Sequence, residues 1–157
     1  MGSSFALWKF YQDEKGDVNI RRLVARSPSQ VLISSLTMLE FIGVLMKYYR
    51  QGFIKRRHVR AIAQRLRRDS AVGRTNRPFQ VIQIPDGSFR EAQGILLQDG
   101  SHYDLQANDA LHLAIVVKLE AADSVVLVTS DGALQNTAQR RGVDWYDPED
   151  SGWSNRN

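Results

Sequence analysis

Residues 124–131 read SVVLVTSD, a run of β-branched and aliphatic residues that ends in two hydroxyls and an aspartate. A continuous apolar run of this length is typical of a short strand covered on both faces, as in a parallel sheet. In α/β folds ligands bind at the carboxyl ends of the strands, which is where Asp131 would lie. A capping role at the start of the next helix is the competing interpretation of Asp131.

The segments on either side of this strand alternate between helical and extended patterns. Hydrophobic spacing and turn residues predict helices over 5–15, 17–26, 36–51, 55–70, 88–98, 109–120 and 131–141, and strands over 31–33, 79–84, 124–129 and 143–146. The helix over 36–51 is apolar on most of its circumference and is predicted to be largely buried. The tail from Asp147 is polar and predicted to be loose. The alternation predicts an α/β fold, a three-layer α/β/α sandwich with a mainly parallel central sheet, in a single domain over residues 1–157.

Two further carboxylates stand in apolar surroundings, as Asp131 does. Glu40 interrupts the apolar helix over 36–51, and Asp109 opens the apolar segment that follows it. A buried carboxylate costs free energy unless it is paired or bound to a metal, and three that converge would repel one another without a divalent cation. The sequence therefore predicts a metal site made of Glu40, Asp109 and Asp131. For Asp109 the alternative is that it, or Asn108, caps its helix.

Composition excludes several classes of site. The chain has no cysteine, so disulfides, zinc thiolate sites and cysteine nucleophiles are excluded, and a reducing cytoplasm is the expected compartment. No apolar stretch is long enough to cross a bilayer, so no membrane association is expected. His112 follows Asp109 by one helical turn, and packing against the sheet is favoured over metal binding.

Basic residues are concentrated in one part of the chain. The net charge is +4, but residues 47–77 hold eleven lysines and arginines and one acid. Such a cluster is the expected electrostatic footprint of a nucleic-acid-binding protein, and an acidic protein partner or a solvated helix face are the alternatives. The residues proposed for RNA binding are Arg56, Arg57, Arg60 and Arg67.

Four segments in order resemble the PIN domain, and within it the VapC-type toxins of toxin–antitoxin pairs. Residues 34–41 (SSLTMLEF) resemble the family's S-x-L-T-x-x-E, and residues 105–114 (LQANDALHLA) match its L-x-x-x-D-A-L-H-L-A. Residues 127–131 (LVTSD) are similar to its L-V-T-x-D, and residues 6–11 (ALWKFY) to its opening A-L-V-K-x-Y. The resemblance covers essentially the whole chain.

This resemblance implies an endoribonuclease that uses Mg²⁺ or Mn²⁺, the toxin of a toxin–antitoxin pair. By motif, Glu40, Asp109 and Asp131 would be the catalytic metal ligands, with support from the hydroxyls of Thr129 and Ser130. The implied partners are RNA, a small antitoxin and a second copy in a homodimer. The apolar first helices around Trp8, Phe10 and Leu45 would form the antitoxin groove or the dimer face.

One position departs from the family pattern. The family opens with a hydrophobic strand that ends in an aspartate, where this chain has Ser3. A neutral hydroxyl is a weaker ligand than a carboxylate, so a truncated first strand and reduced activity are expected. Two alternatives stay open: a catalytically degenerate RNA- or protein-binding module of the same fold, and a nuclease for structured DNA or a phosphatase-like hydrolase.

Overall fold

The computed structural model describes residues 4–26, 31–71, 77–120 and 124–150. Helices alternate with short parallel strands in these ranges, which confirms the predicted α/β class. In chain order the elements are α1 (Ser4–Tyr11), α2 (Asp17–Arg26), β1 (Val31–Ser34), α3 (Ser35–Arg50), α4 (Arg56–Asp69), β2 (Phe79–Ile82), α5 (Ser88–Tyr103), α6 (Ala107–Glu120), β3 (Leu127–Val128), α7 (Gly132–Arg140) and β4 (Trp145–Tyr146).

These elements group into two compact units. The N-terminal unit ends at Gln83 and contains α1 to α4 with β1 and β2; the C-terminal unit begins at Ile84 and contains the remaining elements. Among the residues that the structure describes, each unit holds one pair of parallel strands. A single domain over residues 1–157 stays a prediction. None of the helices in the described ranges has the length and hydropathy that a bilayer crossing needs.

The N-terminal unit is built on an aromatic core between α1, α3 and the strand pair. β1 and β2 pair from Val31 opposite Phe79 to Ser34 opposite Ile82. Trp8 stacks on Tyr48 with 4.4 Å between ring centroids. Burial of apolar surface in this core is the main contribution to the stability of the unit. The fully or almost fully buried members of this core are Leu7, Trp8, Tyr11, Ile33, Phe41, Leu45, Leu66 and Phe79.

The burial predicted for α3 is wrong on one side of the helix. Thr37, Phe41 and Leu45 are buried, because they lie one turn apart on the side that packs on the core. The opposite side carries an exposed apolar row at spacings of three and four residues, which we call the α3 stripe; it consists of Leu39, Ile42, Met46 and Tyr49. Leu39 is 70% exposed. The apolar residues around most of the circumference of α3 therefore did not predict burial on every side.

The basic helix α4 follows its predicted pattern. Leu66 is buried, and Val59, Ile62 and Ala63 pack against the same core. The four arginines proposed for RNA binding all lie on the exposed side. Apolar residues at helical spacing therefore correctly predicted which face packs and which face meets solvent.

The C-terminal unit places α6 at its centre. α5 packs against α6 and α7, and α6 against α7. Every residue from Ala110 to Val116 is buried, so α6 is enclosed on all sides over two turns. Other buried side chains of this unit include Ile95 of α5, Leu127 of β3 and Leu134 of α7, all at most 1% exposed.

The strands of this unit are shorter than predicted. β3 pairs with β4 only through Leu127 opposite Trp145 and Val128 opposite Tyr146. The amide of Thr129 still donates to the carbonyl of Tyr146, at 3.1 Å. The apolar run is longer than the ladder because a strand extends only as far as its partner does.

A buried carboxylate ties the ends of α5 and α7 together. Asp99 is 2% exposed, and its two oxygens lie 3.2 Å from Nε of Arg140 and 2.7 Å from Nε of Arg141. Arg141 also donates from Nη2 to Gln98, at 2.8 Å. α5 continues to Tyr103, beyond the predicted end at Gln98, and Asp99 is one of its buried residues.

Candidate active site

The loops after β3 and β4 meet at one edge of the C-terminal unit. Because the two strands are parallel, their carboxyl ends lie at the same edge. Thr129, Ser130 and Asp131 follow β3, and Asp147 follows β4. Ser130 Oγ donates to Asp147 Oδ1 at 2.8 Å, which joins the two loops directly. The predicted location of Asp131 at a carboxyl edge is confirmed.

Asp131 is the N-cap of α7. Its Oδ1 accepts the amide of Leu134 at 2.8 Å, so the capping interpretation is correct. The residue is exposed, and an ionised carboxylate has about four lone-pair sites on its two oxygens. A single accepted hydrogen bond leaves acceptor capacity for a cation. Capping and metal binding are therefore compatible at this position.

Asp109 is not a cap. α6 begins at Ala107, so Asp109 lies inside the first turn and the capping interpretation of Asp109 and Asn108 is wrong. The residue is half-buried and precedes the fully buried Ala110. A carboxylate in the first turn gains from the helix dipole, typically about 0.3–1 kcal/mol. Asp109 and Asp131 thus belong to the starts of two helices, α6 and α7, that pack on each other.

Glu40 belongs to the N-terminal unit. It lies in the second turn of α3, after the N-cap Ser34, whose hydroxyl accepts the amide of Thr37 at 3.1 Å. Glu40 is half-buried, so the expectation of full burial is wrong. The reason is that Glu40 shares a side of α3 with Gly43 and Lys47, one and two turns further along, which are both exposed. The convergence of Glu40 with Asp109 and Asp131 stays a prediction, and Ser3 lies outside the described residues.

The two supporting hydroxyls have local tasks. Thr129 is 2% exposed, and its Oγ1 accepts the amide of Asp131 at 3.1 Å. Ser130 Oγ donates to Asp147. Both hydroxyls therefore shape the turn that carries Asp131, and a part for them in catalysis stays a prediction. His112 is 2% exposed within α6, in agreement with a packed histidine.

Asp147 is a carboxylate that the sequence reasoning missed. The segment after β4 was expected to be loose, but Pro148 is buried, and Asp147 is half-buried and accepts hydrogen bonds from Ser130, Gln135 and Glu149. The sequence did hold a signal. Asp147 follows a strand that ends in the apolar pair Trp145–Tyr146, just as Asp131 follows the run before it.

The donor set fits a hard divalent cation. Carboxylate oxygens are the ligands that Mg²⁺ and Mn²⁺ prefer, and a chain without cysteine offers no thiolate ligand. Within either unit, the described residues contain no group of three histidine or acidic side chains arranged around one point. A site that contained Asp109 and Asp131 would therefore need a further ligand, and Glu40 is the predicted one.

A basic face lies on α4. Arg56, Arg57, Arg60 and Arg67 are all exposed, whereas Arg65 lies over the ring of Tyr11 with 5.3 Å from its guanidinium carbon to the ring centroid. The N-cap Lys55 makes no side-chain capping bond, and the first turn contains no acid. A cationic first turn opposes the helix dipole, so this arrangement does not serve helix stability.

Comparison with known proteins gives one match. The family model of the PIN domain matches residues 3–140, which is most of the chain and extends across both units. Residues Glu40, Asp109 and Asp131 and the whole of α4 lie inside the matched range. No curated protein matches the chain.

Proposed function

Because the chain belongs to the PIN-domain family, we propose that it is a metal-dependent endoribonuclease of the VapC toxin type. The observation that carries the proposal is the position of Asp131. It follows the buried strand β3 at the carboxyl edge of a parallel pair, with one oxygen capping α7 and acceptor capacity left over. Its packed neighbour helix α6 presents Asp109 from its own first turn.

The proposed metal ligands are the carboxylates of Glu40, Asp109 and Asp131. Asp109 and Asp131 would bind Mg²⁺ or Mn²⁺ from the C-terminal unit, and Glu40 is proposed as the ligand from the N-terminal unit. When bound, such an ion lowers the pKa of a coordinated water and stabilises negative charge on the scissile phosphate. The contact between α6 and α7 supports this proposal, because the two residues lie at the starts of these helices.

The exposed arginines of α4 would hold the RNA backbone. Arginine binds phosphate oxygens through a planar fork of N–H donors, and such contacts position a nucleic acid without reading its sequence. Arg56, Arg57, Arg60 and Arg67 have their side chains on the exposed side of the helix. The RNA target also accounts for the proposed cytoplasmic location.

A partner would cover the α3 stripe. The groove expected around Trp8 and Leu45 is wrong, because both side chains are in the core. The exposed α3 stripe takes their place, since its spacings of three and four residues suit an amphipathic helix laid alongside. A small antitoxin is the proposed occupant, and a homodimer is the other prediction. Sedimentation velocity of the chain alone at two concentrations tests the homodimer.

The test is cleavage of single-stranded RNA with Mn²⁺ by purified variants. Glu40→Gln, Asp109→Asn and Asp131→Asn should each lose activity by at least about a hundredfold, since each removes a charged ligand. Asp150→Asn is the matched control, because Asp150 is exposed and lies in the same unit as two of the three. Full activity in all three ligand variants would refute the proposal. Preference for flapped DNA as a competitor would favour the DNA nuclease.

A degenerate binding module is the second candidate. The observation in its favour is Ser3, which stands where the resemblance expects an aspartate. Ser3→Asp should raise Mn²⁺ affinity and cleavage if the chain is a weakened nuclease. If no variant binds Mn²⁺ at millimolar concentration in calorimetry while RNA still binds, the module is the better description.

A further inference from the structure

We infer that Asp147 is a positioning residue that holds the Asp131 turn in the geometry needed for metal binding. The inference rests on the proposed function, since it concerns the same carboxylate edge. It assigns a role to a residue beyond residues 3–140, the range that the family model matches.

Three donors converge on the Asp147 carboxylate. Oδ1 accepts from Ser130 Oγ at 2.8 Å and from the amide of Glu149 at 2.8 Å. Oδ2 accepts from Nε2 of Gln135 at 2.9 Å. Both oxygens are thus occupied by the protein itself, which suits a residue that orients a ligand better than one that binds the ion.

The two side chains that Asp147 holds lie on either side of Asp131. Ser130 precedes it directly, and Gln135 follows it by one helical turn. The same amide nitrogen of Gln135 also donates to the carbonyl of Thr129 at 3.1 Å, and the backbone amide of Gln135 donates to the carbonyl of Asp131 at 2.9 Å. The turn that carries Asp131 is therefore hydrogen-bonded on both sides, and Asp147 accepts from both Ser130 and Gln135.

The position of Asp147 is itself fixed. It follows Tyr146, which is 7% exposed and paired with Val128, and it precedes the buried Pro148. Proline has a fixed φ near −65°, so the backbone on the carboxyl side has little freedom. Because the acceptor is held in place, it restricts the side chains of Ser130 and Gln135, and with them the position of Asp131.

Carboxylates that hydrogen-bond around a metal ligand typically change metal affinity about 10–100-fold when they are removed. Asp147→Ala should therefore weaken Mn²⁺ binding by at least about tenfold in calorimetry on the full chain. Asp150→Ala is the matched control, because it removes an exposed carboxylate three residues further on and should change the affinity less than about twofold.

The route through Ser130 and Gln135 has its own test. In a Ser130→Ala/Gln135→Ala background, Asp147→Ala should have almost no further effect on Mn²⁺ affinity, because the donors it holds are gone. The full tenfold loss in that background would overturn the inference. Asp147→Asn keeps one carbonyl acceptor and should lose less, about threefold to tenfold, and it decides the matter if the alanine variant fails to fold.

A readout without metal completes the design. Hydrogen exchange of the Leu134 amide reports whether Oδ1 of Asp131 still caps α7, and Asp147→Ala should speed it by at least about tenfold relative to the Asp150→Ala control. Unchanged exchange and unchanged Mn²⁺ affinity in Asp147→Ala, with loss of binding in Asp131→Asn, would overturn this inference alone. No Mn²⁺ binding by the unmutated chain would overturn the proposed function and this inference together.

Discussion

Reversing one charge at the start of α4 should move stability and RNA binding in opposite directions. Arg56 is the first residue of α4, it is exposed, and Arg60 lies one turn further along the same face. Arg56 therefore opposes the helix dipole and repels Arg60. Neither effect helps the fold, whereas both arginines would help to hold a phosphate backbone.

The magnitude for Arg56→Glu follows from these two terms. An exposed charge in the first turn contributes about 0.3–1 kcal/mol through the helix dipole. Turning a like-charge pair at i,i+4 into an attractive one contributes about 0.4–1 kcal/mol, twice the value of a single pair. Allowing for salt screening, we expect a gain of about 1 kcal/mol in the free energy of unfolding, or a rise in Tm of roughly 2–4 °C for a chain of this size.

The assay is a pair of measurements on the same protein. Urea unfolding at low salt gives the stability, and a fluorescence titration of single-stranded RNA at several salt concentrations gives the binding slope. If Arg56 contacts one phosphate, the slope of log affinity against log salt should fall by about 0.7. Arg22→Glu is the control, because Arg22 is exposed and belongs to α2, a different helix. An unchanged slope in Arg56→Glu, or an equal drop in Arg22→Glu, would refute the assignment of α4 to RNA.

Three further predictions concern the fold. Asp131→Ala should cost about 1 kcal/mol in urea unfolding by removing the α7 cap, whereas Asp131→Asn should cost almost nothing; equal losses would contradict the capping role. Burial, followed by the hydrogen bond to Asp69 at 2.9 Å, raises the pKa of Tyr11 above its usual 10. The folded state therefore favours the protonated phenol of Tyr11. Its contribution to the free energy of unfolding is complete below pH 10 and is lost as the pH rises further. Tyr11→Phe should reduce the loss of stability at alkaline pH, and an unchanged pH profile of stability would exclude Tyr11 as its cause. Arg141→Gln should cost about 2–3 kcal/mol in thermal or urea unfolding, because Asp99 stays buried with one arginine fewer; a loss below about 0.5 kcal/mol would mean that the remaining arginine is sufficient.

Local patterns in the sequence predicted much of the fold. The run before Asp131 correctly indicated a parallel strand, and the spacing in α4 indicated its buried face. Both predictions depend on periodicity, which is a property of neighbouring residues. The boundaries were less accurate, since the length of β3 depends on β4, a segment far along the chain.

The incorrect predictions concern which residues are covered by other parts of the fold. Burial of α3 was predicted from its composition, but the side with Leu39 is exposed because only one side meets the core. The tail at Asp147 was predicted to be loose because it is polar, but its polar groups pair with Ser130 and Gln135. Contacts between distant segments decide both cases; the apolar pair before Asp147 indicated a strand end, but not the side chains that pair with the carboxylate.

The α3 stripe and the exposed arginines of α4 together have a consequence for purification of the protein. Sulfate and similar salts strengthen the association of apolar surfaces, whereas any salt weakens the binding of arginine to phosphate. Raising the sulfate concentration of a preparation should therefore release co-purified nucleic acid and at the same time promote aggregation through the α3 stripe. A chloride buffer of intermediate strength is the condition in which clean and dispersed protein should be recovered.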